Sequence, residues 1–271
     1  MDLTETLPWS RRKLRRLGEA LAAGDESPDG CPHYDEVMLW HNDLAAEVAA
    51  TLAITDWTTI DSDSFDLAAR PKTLDTLVQK LRRRPPRLTL DQVQDIAGVR
   101  VDAEFTLDSQ LALAHEVVAF FGEDSVVKDI RDNPHSGYRA VHVWLRLPPG
   151  RVEIQLRTTT QSAWANTYER LADRIGRGIR YGEIPDAPGI RGVVEHLHTF
   201  SNEIAALEQL EQQLSDLQAE LEAVPHGDRD DNHRALVRRV GEIEDGVRDS
   251  RSRYIELLLD LKRTLDDMED A

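Results

Sequence analysis

The segment Gly150–Thr158, GRVEIQLRT, constrains the fold most. Val152, Ile154 and Leu156 alternate with Glu153, Gln155 and Arg157. Successive strand side chains point to opposite faces, so one face is apolar and the other carries an acid, an amide and a base in a row. The preceding run SGYRAVHVWLRL reads as a second strand, with Tyr138, Ala140, His142 and Trp144 on one face and Arg139, Val141 and Val143 on the other. Pro148-Pro149-Gly150 between the two is a hairpin signal. The apolar face needs a core to cover it. The polar row is either the wet side of the sheet or the lining of a site.

Helical patterns surround this hairpin. Residues 8–23 read as a helix with Ser10 as N-cap and Gly24 near its end. In EVMLWHNDLAAEVAATLAI, Leu39, Leu44, Val48 and Leu52 are expected to share a face. RPKTLDTLVQKLRRR is a third helix, stopped by Pro85 and Pro86. A strand is expected from about Ile96 to Val101, followed by a helix in DSQLALAHEVVAFFG. QSAWANTYERLADRIGRGIRYG opens as a helix and ends in a Gly-rich turn. Helices and strands thus alternate in the middle of the chain, giving an α+β class with a mixed sheet flanked by helices.

The tail has a different pattern. Leu207, Leu210, Leu214, Leu217, Leu221 and Val224 follow 3/4 spacing, and PHGDRDDN interrupts them. A second helix runs through Leu236, Val240, Ile243 and Val247, then Tyr254, Leu258, Leu261, Leu265 and Met268. Its register falters near Ser250 and Arg251. This reads as a helical hairpin or antiparallel coiled coil. The expected division is a helical segment over 1–39, a mixed α+β domain over 40–195 and the acidic hairpin over 196–271.

Charge and cysteine content exclude several classes. The net charge is −17 over 271 residues, which argues against a nucleic-acid binder relying on overall charge. Residues 201–271 hold 19 Asp/Glu against 9 Lys/Arg, so 10 of those 17 negative charges lie in the tail. The remainder is closer to neutral. A single cysteine, Cys31, excludes an intramolecular disulfide framework and fits a reducing cytosol. No run approaches the ~18 apolar residues of a membrane span, and a cytoplasmic protein is expected.

Positive charge is clustered. Between Arg70 and Arg87 lie seven Lys/Arg and one acid, Asp75. Lys80 and Arg83 are three residues apart on one helix face, with Thr76 and Lys72 one and two turns back. Such a column of cations suits a polyphosphate. There is no G-x-x-x-x-G-K-[ST] loop and no G-x-G-x-x-G after a strand, so phosphates would be gripped by side chains. Two acids could serve a Mg²⁺ ion, Asp95 before the strand IAGVRV and Glu153 on the polar row. No spacing suggests zinc. Tyr138 could offer a flat face to a base.

Five stretches, in order, resemble the synthetase domain of the RelA/SpoT family, the enzymes that make (p)ppGpp alarmones. They are RPKTLDTLVQKLRR, DIAGVRV, VVKDI, SGYRAVH and VEIQLRT, spanning about residues 70 to 158. The resemblance implies a nucleotidyltransferase-like mixed sheet. It also implies transfer of the β,γ-pyrophosphate of ATP to a ribose 3′-hydroxyl of GDP or GTP, with release of AMP. On matching positions, Arg70 and Arg100 would sandwich adenine, and Lys72, Lys80 and Arg83 would hold the triphosphate. Asp95 and Glu153 would be catalytic and bind Mg²⁺. Tyr138 would stack on the acceptor base, with His142, Gln155, Arg157 and Lys128 lining the acceptor and phosphate region.

The chain departs from the family at two places. Neither the hydrolase domain nor the C-terminal regulatory domains of the long enzymes are expected, so the chain resembles the small synthetases. His135 and Ser136 also stand where Lys and Asn are typical. SGYRAVH and the helix after it look more like toxic small synthetases of toxin–antitoxin and phage-defence systems, which make adenosine alarmones or pyrophosphorylate the 3′ end of tRNA. The expected partners are therefore ATP, a guanine nucleotide or tRNA, and an antitoxin or a second copy of the chain through the C-terminal helices. No membrane partner is expected. A catalytically silent coiled-coil adaptor is the least favoured reading.

Overall fold

A computed structural model describes residues 2–26, 28–60, 64–70, 72–82, 88–122 and 124–267. Pro85, Pro86 and Arg83 lie outside the described residues. The described elements run α1 (Arg11–Ala23), α2 (Tyr34–Ile54), β1 (Phe65–Ala69), α3 (Leu74–Arg82), β2 (Ala97–Ala103), α4 (Leu107–Phe121) and β3 (Val126–Asp129). They continue as β4 (Val141–Leu147), β5 (Gly150–Thr158), α5 (Thr159–Ile175), α6 (Pro188–Glu222) and α7 (Asp231–Asp267). The five strands form one mixed sheet in the order β1-β2-β5-β4-β3. This is the α+β class read from the sequence.

Two compact units divide the chain. The first comprises Met1–Ala103, Ala112–Lys128 and Val141–Leu156; the second comprises Glu104–Leu111, Asp129–Ala140 and Arg157–Ala271.

In the first unit, β4 and β5 pair antiparallel from Val141↔Leu156 to Leu147↔Gly150, around the Pro148-Pro149 turn. Val152, Ile154 and Leu156 are fully buried. β2 shows the same alternation: Ala97, Val99, Val101 and Ala103 are buried, while Gly98, Arg100 and Asp102 are half-buried. A helical layer has its own core, built from Leu17 and Leu21 of α1, Val37 of α2, Leu77 and Leu81 of α3, and Ile96. Helix α1 starts and stops as its sequence predicts. Ser10 Oγ accepts from the Lys13 N–H, and Gly24 caps the other end at φ 94°. Helix α2 departs from expectation at Leu39, which is 63% exposed. Leu44 lies five positions after Leu39, a spacing that turns Leu39 well away from that face. The buried stripe instead follows Val37, His41, Leu44, Val48 and Leu52, at spacings of four and three.

In the second unit, the tail is part of the core. α5 supplies Trp164, Tyr168 and Leu171; α6 supplies Leu197 and Ile204; α7 supplies Leu258 and Leu265. Thr167 Oγ1 donates to the Leu258 carbonyl at 3.0 Å. Farther along the hairpin a smaller cluster joins Leu214 and Leu221 to Val240 and Val247. Leu210, Leu236 and Ile243, expected in the apolar stripe, are exposed.

The faltering register has a structural cause. Buried positions of α7 are Val240, Val247, Leu258 and Leu265, a 7-11-7 spacing with four extra residues in the middle. That is a stutter, which shifts the buried seam without breaking the helix. At the stutter Arg251 turns inward and pairs with Glu104 at 2.5 Å and Glu211 at 3.6 Å.

Adjacent residues on α7 therefore differ sharply in weight. Leu258→Ala removes a fully buried side chain and is expected to lower the unfolding free energy by about 2–5 kcal/mol. Leu257→Ala, at an exposed position, is expected to change it by about 0.5 kcal/mol or less. Urea unfolding of the two variants followed by circular dichroism measures both.

Candidate active site

Asp95 lies in the short link between a 3-10 turn at Leu90–Gln92 and β2. Its two carboxylate oxygens are each bound by a lysine. Lys72 Nζ is 2.7 Å from Oδ2 and Lys80 Nζ is 2.7 Å from Oδ1. Lys72 precedes α3 and Lys80 lies in its last turn, while Leu77 and Leu81 bury the opposite side of that helix. Two of the cations read from the sequence thus converge on one acid, Lys72 from just before the helix and Lys80 from within it. Burial pushes the Asp95 carboxyl up, but Lys72 and Lys80 outweigh it and hold the group below the usual aspartate range. Burial lowers the Lys72 ammonium despite Asp95.

Glu153 lies on β5 opposite Trp144, and Gln155 opposite His142. This register puts four polar side chains on one face of the hairpin. Trp144 Nε1 donates to Glu153 Oε1 at 3.1 Å, and Gln155 Nε2 donates to Oε2 at 2.7 Å. His142 Nδ1 is 3.4 Å from Oε1. Glu153 is 8% exposed, so the polar row is not a wet face here. Burial would raise its pKa, yet His142, Gln155 and the Lys80 charge bring it down to about 2. The Glu153 charge also acts on Asp95, pushing its carboxyl up. Trp144 shares the face of His142 in the sequence pattern, but its role as a donor to Glu153 follows only from the strand register. Lys128 on β3 sits over the Trp144 ring at 5.4 Å from the centroid.

Arg70 and Arg100 come to the same face of the sheet edge. Ala68 pairs with Arg100, and the Arg70 N–H donates to the Gly98 carbonyl at 2.7 Å. They are therefore diagonal neighbours across β1 and β2. A Cβ at Gly98 would lie 3.1 Å from the Arg70 carbonyl oxygen, so the chain passes closely there.

Tyr138 and Arg157 belong to the second unit and meet there. Arg157 Nη2 and Nε donate to the Tyr138 hydroxyl at 2.8 and 3.2 Å, with the guanidinium carbon 4.9 Å from the ring centroid. Arg157 is fully buried. Tyr138 does not begin a strand as expected. It closes a turn from His135, its N–H donating to the His135 carbonyl at 3.0 Å, and β4 begins at Val141. Ser136 at φ 51° and Gly137 at φ 84° occupy the two central positions, the pattern of a type I′ turn. A Cβ at Gly137 would also lie 2.8 Å from Trp164.

Among the described residues no group of three or more His, Cys, Asp or Glu is placed to hold a metal ion. No described helix is long and apolar enough to cross a membrane.

The chain is similar to known proteins in sequence and in fold. A sequence model of the region found in RelA / SpoT proteins matches residues 69–173. Uncharacterized proteins of Mycobacterium tuberculosis and Mycobacterium bovis are each 54% identical over 187 residues, covering 69% of this chain and 67% of theirs. The chain belongs to the RelA/SpoT family. The GTP pyrophosphokinase YjbM of Bacillus subtilis is 26% identical over 169 residues, 58% of this chain and 72% of that protein. The small alarmone synthetase 1 of Bacillus subtilis shares the fold at a TM-score of 0.50 and 23% identity, over 70% of this chain and 97% of that one. The RelA/SpoT region contains every candidate residue named above, whereas α6 and α7 lie outside it.

The ionised state of Glu153 links the site to stability. Its folded pKa of about 2 is below the ordinary 4.5, so its contribution is fully present above about pH 4.5 and is lost as pH falls toward 2. Glu153→Gln is expected to flatten this acid limb, read as the thermal midpoint between pH 5 and pH 2.

Proposed function

We propose that the chain is an ATP-dependent pyrophosphokinase that moves the β,γ-pyrophosphate of ATP to the 3′-hydroxyl of GDP or GTP. The observation that carries this reading is Asp95 held by two lysines in the same unit as Glu153, a buried and hydrogen-bonded carboxylate. The 3′-oxygen bonds to the β-phosphorus, the bond between that phosphorus and the α–β bridging oxygen breaks, and AMP departs. Little covalent chemistry falls to the protein; positioning and charge neutralisation supply most of the rate.

Lys72, Lys80 and Arg83 are assigned to the triphosphate, and Arg70 and Arg100 to the adenine. Tyr138, His142, Gln155, Arg157 and Lys128 are assigned to the acceptor and its phosphates. Glu153 is ionised at neutral pH and can accept the hydroxyl proton, although a carboxylate with a pKa near 2 is a weak base. Asp95 and Glu153 offer hard oxygen donors, and Mg²⁺ needs only one or two protein carboxylates beside phosphate oxygens. The residues present therefore fit Mg²⁺, which when bound would neutralise phosphate charge and polarise the attacking hydroxyl. Lys72 and Lys80 would then exchange Asp95 for phosphate oxygens.

A second reading keeps the chemistry and changes the acceptor to the 3′ end of tRNA, as in a growth-arresting toxin. One observation favours it: the turn before Tyr138 carries His135 and Ser136 rather than a lysine for a free nucleotide's phosphate.

Incubation with γ-labelled ATP and GDP, GTP or bulk tRNA separates the two. The expected result is label on the guanine nucleotide with equimolar AMP, reduced about 100-fold or more in Glu153→Gln. Label on tRNA alone would replace the first reading by the second, and label on no acceptor would overturn both.

A further inference from the structure

Helix α6 presents three polar side chains to the rest of the second unit, and none belongs to the assigned site. Ser201 and Glu208 are buried, and Asn202 is exposed beside them. Ser201 Oγ donates to the Gly137 carbonyl at 2.5 Å and accepts from Arg139 Nε at 3.2 Å. Asn202 Oδ1 accepts from Arg139 Nη2 at 2.9 Å. Arg139 Nη1 in turn donates to the Arg131 carbonyl. The turn that carries Tyr138 is thus tied to α6 on both sides of Tyr138.

Glu208, two turns on, reaches the other member of the pair. Its Oε1 accepts from Thr158 Oγ1 at 2.5 Å and its Oε2 from Gln161 Nε2 at 2.9 Å. Thr158 follows Arg157 directly and is the N-cap of α5, closing a capping box with Gln161. Gln161 Oε1 accepts from Gln110 Nε2 at 2.9 Å, and Gln110 Oε1 accepts from Arg131 Nη1 at 3.0 Å. The contacts form a closed circuit: Glu208, Gln161, Gln110, Arg131, Arg139 and back to Ser201 and Asn202. Tyr138 is the chain neighbour of Arg139 in that circuit, and Arg157 is the chain neighbour of Thr158, which is bonded to Glu208. A buried carboxylate is costly unless its bonds are satisfied, and these bonds fix the end of β5 rather than add apolar packing.

We propose that α6 is the positioning element of the acceptor side, with Ser201, Asn202 and Glu208 as positioning residues that hold Tyr138 and Arg157 in register. The inference rests on the reading that Tyr138 and Arg157 serve the acceptor. The C-terminal hairpin is then part of the substrate machinery from its first helix, rather than an appendage to it.

The test uses the full chain and two readouts. Glu208→Leu, Asn202→Leu and Ser201→Ala remove the bonds, whereas Glu208→Gln and Asn202→Asp keep the bonds to Thr158 and Arg139. In the transfer assay the first three are expected to raise KM for the acceptor about tenfold, with KM for ATP and kcat within about twofold. The conservative variants are expected to recover most of that loss. Hydrogen exchange without substrates, read by mass spectrometry, is expected to quicken at 137–140 and 157–161 in the first three alone. Asn202 is exposed, so Asn202→Leu keeps the test open if Glu208→Leu does not fold. Equal rises in both KM values, or unchanged exchange in Asn202→Leu and Ser201→Ala, would overturn the proposal. Were no acceptor labelled by the unmodified chain, the functional reading would fail and the exchange result alone would decide whether α6 holds the pair.

Discussion

Glu153 is an ionised carboxylate inside a sheet, and the first unit is arranged around the need to compensate it. An unpaired charge there would cost several kcal/mol, so it survives only where neighbours supply hydrogen bonds and positive charge. The β4–β5 register supplies Trp144, His142 and Gln155. The order β2-β5 brings β2 beside β5, and Asp95 at the mouth of β2 adds a second negative charge. That second charge requires Lys72 and Lys80, hence α3 on its own core of Leu77 and Leu81. A one-residue slip between β4 and β5 would bury Glu153 against the apolar face and leave Ile154 among polar groups. The hairpin register, the sheet order and the position of α3 thus answer to one electrostatic constraint.

The second unit solves a different problem. Its helices are long, and a helix of 35 or 37 residues with one apolar stripe must bury that stripe somewhere. The hairpin buries part of it within itself, at Leu214, Leu221, Val240 and Val247, and part against α5, at Leu197, Ile204, Leu258 and Leu265. The stutter near Arg251 lets one continuous helix serve both cores, because four extra residues rotate the seam. Arg251 then fills the transition with two ion pairs instead of an apolar contact.

What the sequence made legible follows from what its periodicity measures. The alternation of GRVEIQLRT is a period-2 signal with apolar residues on one side, and the sheet places those residues at zero exposure. The caps of α1 are local chemistry and appear where Ser10 and Gly24 predict them. The helical pattern groups Leu39 with Leu44, Val48 and Leu52, but a spacing of five between Leu39 and Leu44 does not suit a common face. The alternation of SGYRAVHVWLRL extends to Tyr138, whereas the positive φ of both Ser136 and Gly137 makes a turn. Ser201 and Glu208 were invisible for a more general reason. They occupy buried positions of α6, but a hydrophobic pattern counts polar residues as exposed, and only tertiary partners such as Thr158 and Arg139 justify their burial.

Charge distribution sharpens the same point about scale. A net −17 opposes any polyphosphate at long range, yet screening limits that field to about 8 Å at physiological salt. Inside that distance the relevant groups are Lys72 and Lys80, which are already seated on a carboxylate. An anion that reaches them must compete with Asp95, so phosphate binding is favoured only when something else takes over the aspartate's charge. Under the proposed function a divalent cation would do that, whereas a free phosphate carries no positive charge that could replace the lysines. Under the proposed function, the lysine–aspartate pairing would favour a metal-bound polyphosphate over other anions.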